Sequence, residues 1–248
     1  MSEEVTVVCS AWHKQKNLDL YFRQHSRSLL LQTIPVKIIY VCDGGLVLEK
    51  PDPQVTIVTV SEGIKTAEAL NIGLVLTDTP YYAALNLDDF YFKNALEIHV
   101  GAIKQLDADA FYGDWEIRFT EAGEIDRFAF DLQELTPCRE WPPENQDGLR
   151  LGNGDGHRNS WGPGPVFKTS ALKELGGYPK WFGDGSPMVS IIDFVVWQRF
   201  MKAEKRVSRG EVVIGSYYSN PATQSEFRNG QDGNQAEHKR YDLWGAQV

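Results

Sequence analysis

VKIIYVCDGG, from Val36 to Gly45, is a run of β-branched, aliphatic and aromatic residues that stops at an aspartate and two glycines. Such a run reads as a buried strand, and Asp-Gly-Gly reads as the turn that ends it. Working outward, Val5–Cys9 is a second β-branched run, bounded by Ser10. Leu18, Phe22, His25 and Leu29 then recur at helical spacing. On the other side, Pro51-Asp52-Pro53 is a loop and Val55–Val60 a strand. Ala67, Leu70 and Leu74 mark a helix, Tyr81–Leu87 a fourth strand, and Leu96, Val100 and Ile103 a third helix. Strands separated by helices predict right-handed crossovers and a mostly parallel α/β sheet sandwiched by helices. Ligands of such sheets bind outside the carboxyl ends of the strands. That rule selects Ser10–His13, Asp43–Gly45, Ser61–Lys65 and Asn86–Phe90.

The second half reads differently. Ala110–Phe119, a Glu-Ala-Gly turn at Glu121–Gly123 and Glu124–Phe130 predict an antiparallel hairpin, a smaller element beside the parallel sheet. Residues 131–165 are rich in Pro, Gly, Asn and Trp and lack periodicity, which predicts a long functional loop. Helical spacing returns over Ser170–Leu175 and Asp193–Met201, and Glu211–Tyr218 reads as a strand. The polar tail from Gln231 to Trp244 reads as a surface helix or lid. The 248 residues fit one continuous domain whose two halves, 1–110 and 111–248, differ in pattern.

Lys plus Arg number 25 against 34 Asp plus Glu, a net charge of −9. That excess opposes broad nucleic-acid binding, which depends on neutralising phosphates. It leaves room for one phosphorylated ligand in a local site. Cys9, Cys42 and Cys138 form no CxxC or zinc pattern, and a reducing compartment fits. The acidic start has no signal-peptide pattern, and no apolar stretch approaches about 18 residues. A cytoplasmic protein without an integral membrane segment is expected.

Strand four ends in LNLDDF, Leu85–Phe90. Two adjacent carboxylates repel, and burying both needs a cation or hydrogen-bond donors. Asp88 and Asp89 therefore suit Mg²⁺ or Mn²⁺, which also take phosphate oxygens and water. A plain helix cap explains the same pair. Asp43 reads equally as a turn residue, Asp193 as a helix-start acid, and Gly63 and Asn71 as a turn glycine and a polar surface residue.

The order of several segments shifts that balance. VTVVCSAWHK (Val5–Lys14), SLLLQTIPVKIIYVCDGG (Ser28–Gly45), EGIKTAEALNIGL (Glu62–Leu74), LNLDDFYFKNAL (Leu85–Leu96), LKELGGYPKWF (Leu172–Phe182) and IIDFVVWQRF (Ile191–Phe200) resemble, in order, the segments of the family 2 glycosyltransferases. The resemblance implies the GT-A fold, a Rossmann-like architecture that binds nucleotide sugars. It implies a nucleotide-diphosphate sugar donor, UDP-, GDP- or dTDP-linked, and a carbohydrate or glycoconjugate acceptor, with no nucleic acid. By the same resemblance Ser10 and Trp12 belong to the donor site, with Trp12 placed to flank the base, though a core or loop aromatic explains Trp12 at least as well; Asp43 contacts the base or ribose, and Lys65 approaches the base or diphosphate. Asp88 matches the last acid of the DXD motif and would hold Mn²⁺ or Mg²⁺, with Asp89 beside it toward the sugar. Asp193 matches the catalytic base of an inverting single displacement.

Two positions depart from the family pattern. Asn86 stands where the motif's first acid belongs, and Ile192 where an acid normally precedes the base. These departures motivate a second reading, a noncatalytic nucleotide-sugar-binding homologue. A nucleotidyltransferase would carry a glycine-rich basic loop, and SAWHKQKN has no glycine. A glycosidase would leave the nucleotide-site pattern unexplained. On the acceptor side Asp114, Trp115 and Trp161 are candidates, because aromatic faces stack on sugars and polar rims hold hydroxyls; the alternative is that these tryptophans cover the core. The loop's His157 and Arg158 lie beside Trp161. His238 reaches the diphosphate only if the tail folds back.

Overall fold

A computed structural model describes residues 4–118, 164–218 and 236–247. At its centre β1 (Val5–Ala11) lies between β2 (Val36–Cys42) and β4 (Tyr81–Ala84), with β3 (Val55–Thr59) outside β2, all parallel. The period of two is visible along each strand. Val5, Val7 and Cys9 of β1 and Ile38, Tyr40 and Cys42 of β2 face one core, while Val8, Ile39 and Val41 face the other.

Helices α1 (Leu18–Leu30) and α3 (Ala95–Leu106) cover the first face. Tyr21, Phe22, His25 and Leu29 form the buried stripe of α1, each large apolar side chain worth roughly 1.5–3 kcal/mol. Helix α2 (Thr66–Val75) packs on the second face, and its start is fixed by Glu68 Oε2, which accepts the Lys65 N–H at 3.0 Å. Further along the chain come β5 (Phe90–Tyr91), β6 (Ala110–Arg118), β7 (Val166–Lys168), α4 (Thr169–Glu174), α5 (Ile192–Lys202) and β8 (Val207–Tyr218). A final helix, α6, covers 236–244.

All eight strands join one sheet in the order β3-β2-β1-β4-β7-β6-β8-β5. The parallel half predicted from the sequence is present, and the other half is mixed. β7 is antiparallel to both β4 and β6, β8 runs parallel to β6, and β5 is antiparallel to β8. The short strands β5 and β7 were not predicted. The predicted hairpin partner Glu124–Phe130, most of the 131–165 loop, Cys138, His157, Arg158 and Trp161 lie outside the described residues. Among the described residues no helix is long and apolar enough to cross a membrane.

Candidate active site

Ser10 is near the end of β1 and Trp12 follows it, Asp43 follows β2, Lys65 precedes α2, and Asn86 and Asp88 follow β4. These six line one cleft of 460 Å³ at the carboxyl ends of the strands. Gln15, Thr66 and Val189, which the sequence did not single out, complete its rim.

Asp43 is 4% exposed. Its Oδ1 accepts the His13 backbone N–H at 2.8 Å and lies 2.9 Å from His13 Nδ1. The turn is built for this pair. Gly44 has φ +58°, and a Cβ there would sit 2.5 Å from His13 Nδ1, so a side chain meets both backbone strain and the ring. Trp12 is 42% exposed at the cleft mouth, edge-on to His13 at 6.2 Å.

The two strand-four acids part company. Asp88 is half-buried and lines the cleft, and burial pushes its carboxyl up from 3.8 to about 6 against the pull of its own backbone N–H. Asp89 turns inward and is fully buried. The Asn86 side-chain amide donates to Asp89 Oδ2 at 3.2 Å, and the Asp89 N–H donates to the Asn86 carbonyl at 3.1 Å. Asn86 therefore closes a tight turn over Asp89, which corrects the expectation that Asp89 faces the sugar.

Asp193 lines a second cleft of 220 Å³, which shares Thr66, Asn86 and Val189 with the first. It is half-buried in the first turn of α5, where the Phe194 N–H donates to its Oδ1 at 2.9 Å. Burial again dominates and raises its carboxyl from 3.8 to about 6. Tyr178 lines this cleft. Its phenol is pushed up by burial, while a hydrogen bond with Tyr82 draws it down and the Asp193 charge adds to the rise. Asn71 holds that segment in place: its Nδ2 donates to the Tyr178 carbonyl and its Oδ1 accepts the Tyr178 N–H, both at 2.8 Å. Asn71 is thus a tether between α2 and the base side of the site. Tyr217 on β8 lines neither cleft but feels the charge of these acids. Its phenol is raised by burial and then by the charges of Asp89, Asp88 and Asp193. Nothing in the stretch Glu211–Tyr218 marks it from sequence.

Burial lowers His25 to about 3 and His99 to about 4, so both are neutral at physiological pH. Among the described residues no group of three or more His, Cys, Asp or Glu is arranged to hold a metal. Asp88 and the amide oxygen of Asn86 make a sparse set of hard donors. That set fits a divalent cation whose other ligands are phosphate oxygens and water.

Two acceptor-side candidates are placed elsewhere. Trp115 is fully buried and packs against Tyr91 with ring centroids 5.6 Å apart. It also crosses β8 at Gly215, where a Cβ would come within 2.5 Å of its Cζ3. It offers no face to a sugar here and belongs to the core. Asp114 is buried against Arg209 at 2.6 Å and lines neither cleft. His238 does not extend into solvent: the tail folds back and sets its ring edge-on to Phe194 at 4.6 Å.

The profile of glycosyl transferase family 2 matches residues 17–176, more than half of the chain. The chain belongs to glycosyl transferase family 2. No curated protein sequence matches this family 2 chain. Among solved structures, it is similar to Staphylococcus aureus TarS 1-349 in complex with UDP-GlcNAc: 11% identity, TM-score 0.61, covering 87% of this chain and 58% of that one. It is also similar to the mannosyltransferase PcManGT from Pyrobaculum calidifontis in complex with GDP-Man and Mn²⁺: 14% identity, TM-score 0.56, covering 88% of this chain and 57% of that one. At such identities the likeness speaks for the fold, which is GT-A-like. The chain spans 37% of the longer TarS structure and under two thirds of these two.

Proposed function

We propose that the chain transfers a sugar from a nucleotide-diphosphate donor to an acceptor hydroxyl of a carbohydrate or glycoconjugate, inverting the anomeric configuration. The observation that carries this reading is the pair of joined clefts, with Asp43 and Asp88 in one and Asp193 in the other. Family membership supports it.

The donor's base lies at Asp43. Oδ1 already accepts from His13 through two atoms, which leaves Oδ2 for the ligand. One oxygen matches the single imide N–H of uracil or thymine better than the paired N–H groups of guanine, which favours a UDP- or dTDP-linked donor over a GDP-linked one. The diphosphate lies toward Lys65 and Asp88, where Asp88 and Asn86 would hold Mn²⁺ or Mg²⁺. Such a cation, when bound, neutralises charge gathering on the departing diphosphate. Asp193 accepts the proton of the attacking hydroxyl. Its raised pKa makes it a stronger base than an ordinary carboxylate while keeping it largely ionised at neutral pH. The half at 1–110 binds the donor and the half at 111–248 supplies the base and the acceptor side. Buried free thiols at Cys9 and Cys42 suit a reducing, cytoplasmic setting.

A thermal-shift panel of UDP, GDP, dTDP and CDP, with and without Mn²⁺, tests the donor site, because a ligand of the native state raises apparent stability. Absence of any shift refutes it. Mn²⁺-dependent hydrolysis of a UDP-sugar then separates an enzyme from a noncatalytic homologue, the reading that Asn86 and Ile192 favour.

A further inference from the structure

Glu237 stands in the first turn of α6, 47 residues after Ser190. Its Oε2 accepts the Ser190 N–H at 2.8 Å and the Ser190 hydroxyl at 3.0 Å. The same oxygen accepts the Ile191 N–H at 3.3 Å, and Oε1 accepts the Val189 N–H at 3.1 Å. These donors sit at the start of α5, the helix that carries Asp193. A helix start leaves backbone N–H groups without helical acceptors, and its dipole favours a negative charge there. The N-cap residue of α5, Ile191, offers no side-chain cap, and Ile192 brings no carboxylate. Beside Asp193, whose Oδ1 takes the Phe194 N–H, a second carboxylate arrives from another segment of the chain and takes the N–H groups ahead of it.

That segment is well anchored. Arg240 Nη1 donates to Ser186 Oγ at 3.0 Å, the Gly183 N–H donates to the Gly245 carbonyl at 3.0 Å, and Phe182 bridges Ala246. His238 and Tyr241 set their rings edge-on to Phe194. What Glu237 ties down borders the chemistry. Val189 lines both clefts, and Ser190 and Asp193 line the second. The outer residues of α6, Leu243 at 77% and Trp244 at 60% exposure, add little to the core.

We propose that Glu237 is a positioning residue for sugar transfer. From α6 it clamps the wall between the clefts and the first turn of α5, so that Asp193 is held at the donor's reacting carbon. This rests on the function proposed above. The test uses the full chain with Glu237→Ala and Glu237→Gln. UDP affinity is measured by calorimetry, kcat and KM by Mn²⁺-dependent hydrolysis of UDP-GlcNAc and UDP-glucose, and amide exchange is followed over residues 189–191. In Glu237→Ala, kcat falls about tenfold or more, the scale set by sub-ångström misplacement of a catalytic group. Donor KM and UDP affinity stay within about twofold, and amide protection is lost at 189–191. Glu237→Gln, which keeps an acceptor oxygen, recovers part of the loss. A kcat in Glu237→Ala close to that of the wild type overturns the proposal and leaves the glycosyltransferase reading standing. So does a variant whose UDP affinity falls as far as its kcat. A wild-type chain that binds UDP but hydrolyses neither sugar overturns the catalytic reading, and the positioning role with it.

Discussion

Asp193→Asn should make the protein more stable and nearly inactive. The amide is the same size and keeps an oxygen for the Phe194 N–H, which Asp193 Oδ1 accepts at 2.9 Å. What disappears is a charge that burial disfavours. A carboxyl raised from 3.8 to about 6 carries at most about 3 kcal/mol of penalty once ionised, at about 1.4 kcal/mol per pH unit. Asp193 is half-buried, and water screens part of that penalty, so about 1–2 kcal/mol is the working figure. The sign follows from the raised value. Below about pH 4 the wild type is protonated in both folded and unfolded states, and the two proteins differ little. Between about pH 4 and 6 the wild type loses stability relative to the variant, and above pH 6 the gap is full. In a domain of this size that gap is roughly 2–8 °C in melting temperature. The assay is thermal unfolding of both proteins at pH 3.5, 5 and 7.5, beside transfer or donor hydrolysis. Transfer by the variant should fall by about 10²–10⁴-fold with UDP affinity retained, and wild-type activity should decline as pH drops through about 6. A variant that is less stable at pH 7.5, or that turns over normally, refutes the assignment of Asp193 as a base whose charge burial disfavours.

Three further outcomes follow from the same geometry. Asn86→Asp places a second carboxylate against Asp89, whose Oδ2 lies 3.2 Å from the present amide nitrogen; melting temperature should fall without metal and rise more than the wild type's on adding Mn²⁺ with UDP, and equal responses would remove Asn86 from the cation's surroundings. UDP and dTDP should bind about 10–100-fold more tightly than CDP, whose ring presents no imide N–H, the worth of one hydrogen bond to a charged acceptor, and GDP bound most tightly of all would refute the single-oxygen reading of Asp43. Trp115→Ala should cost about 3–5 kcal/mol in denaturant unfolding, as for large buried aromatics, while leaving UDP affinity of the folded fraction unchanged; a selective loss of acceptor use would return Trp115 to the acceptor site.

The strands legible in the sequence are those of four or more residues, long enough to show a β-branched or alternating run. Val36–Cys42 was read to its ends because every residue but Lys37 is buried and Asp43 to Gly45 stops it. β5 and β7 have two and three residues, too few to display any period, and they exist because neighbouring strands pair with them. The placement of Asp43, Asp88 and Asp193 on the two clefts is legible because each follows a strand end or opens a helix, where local pattern fixes position. Asp89 was not, since which of two adjacent carboxylates turns inward depends on the Asn86 amide across the turn. Trp115 was misjudged because a tryptophan's partners, Tyr91 and Gly215, are brought to it only by sheet order. Glu237 acts on residues 46 to 48 positions away, and no spacing rule reaches that far.

The strand order has a consequence for the acids at the end of β4. β4 is fourth in the sheet and β5 is eighth, yet only residues 85–89 separate them in the chain. Four strand spacings in a flat sheet measure about 19 Å. A six-step link reaches about 20 Å only when fully extended, and this one is folded by the Asn86–Asp89 turn. The sheet therefore curls until its far edge returns beside its middle, and Asp88 rides on the short rope that holds the curl closed. With both rope ends knotted into one sheet, the acid has little slack. In the function proposed above, a donor's diphosphate meets a carboxylate tethered at both ends, and loosening the β5–β8 pairing should lower donor affinity before it lowers the stability of the core.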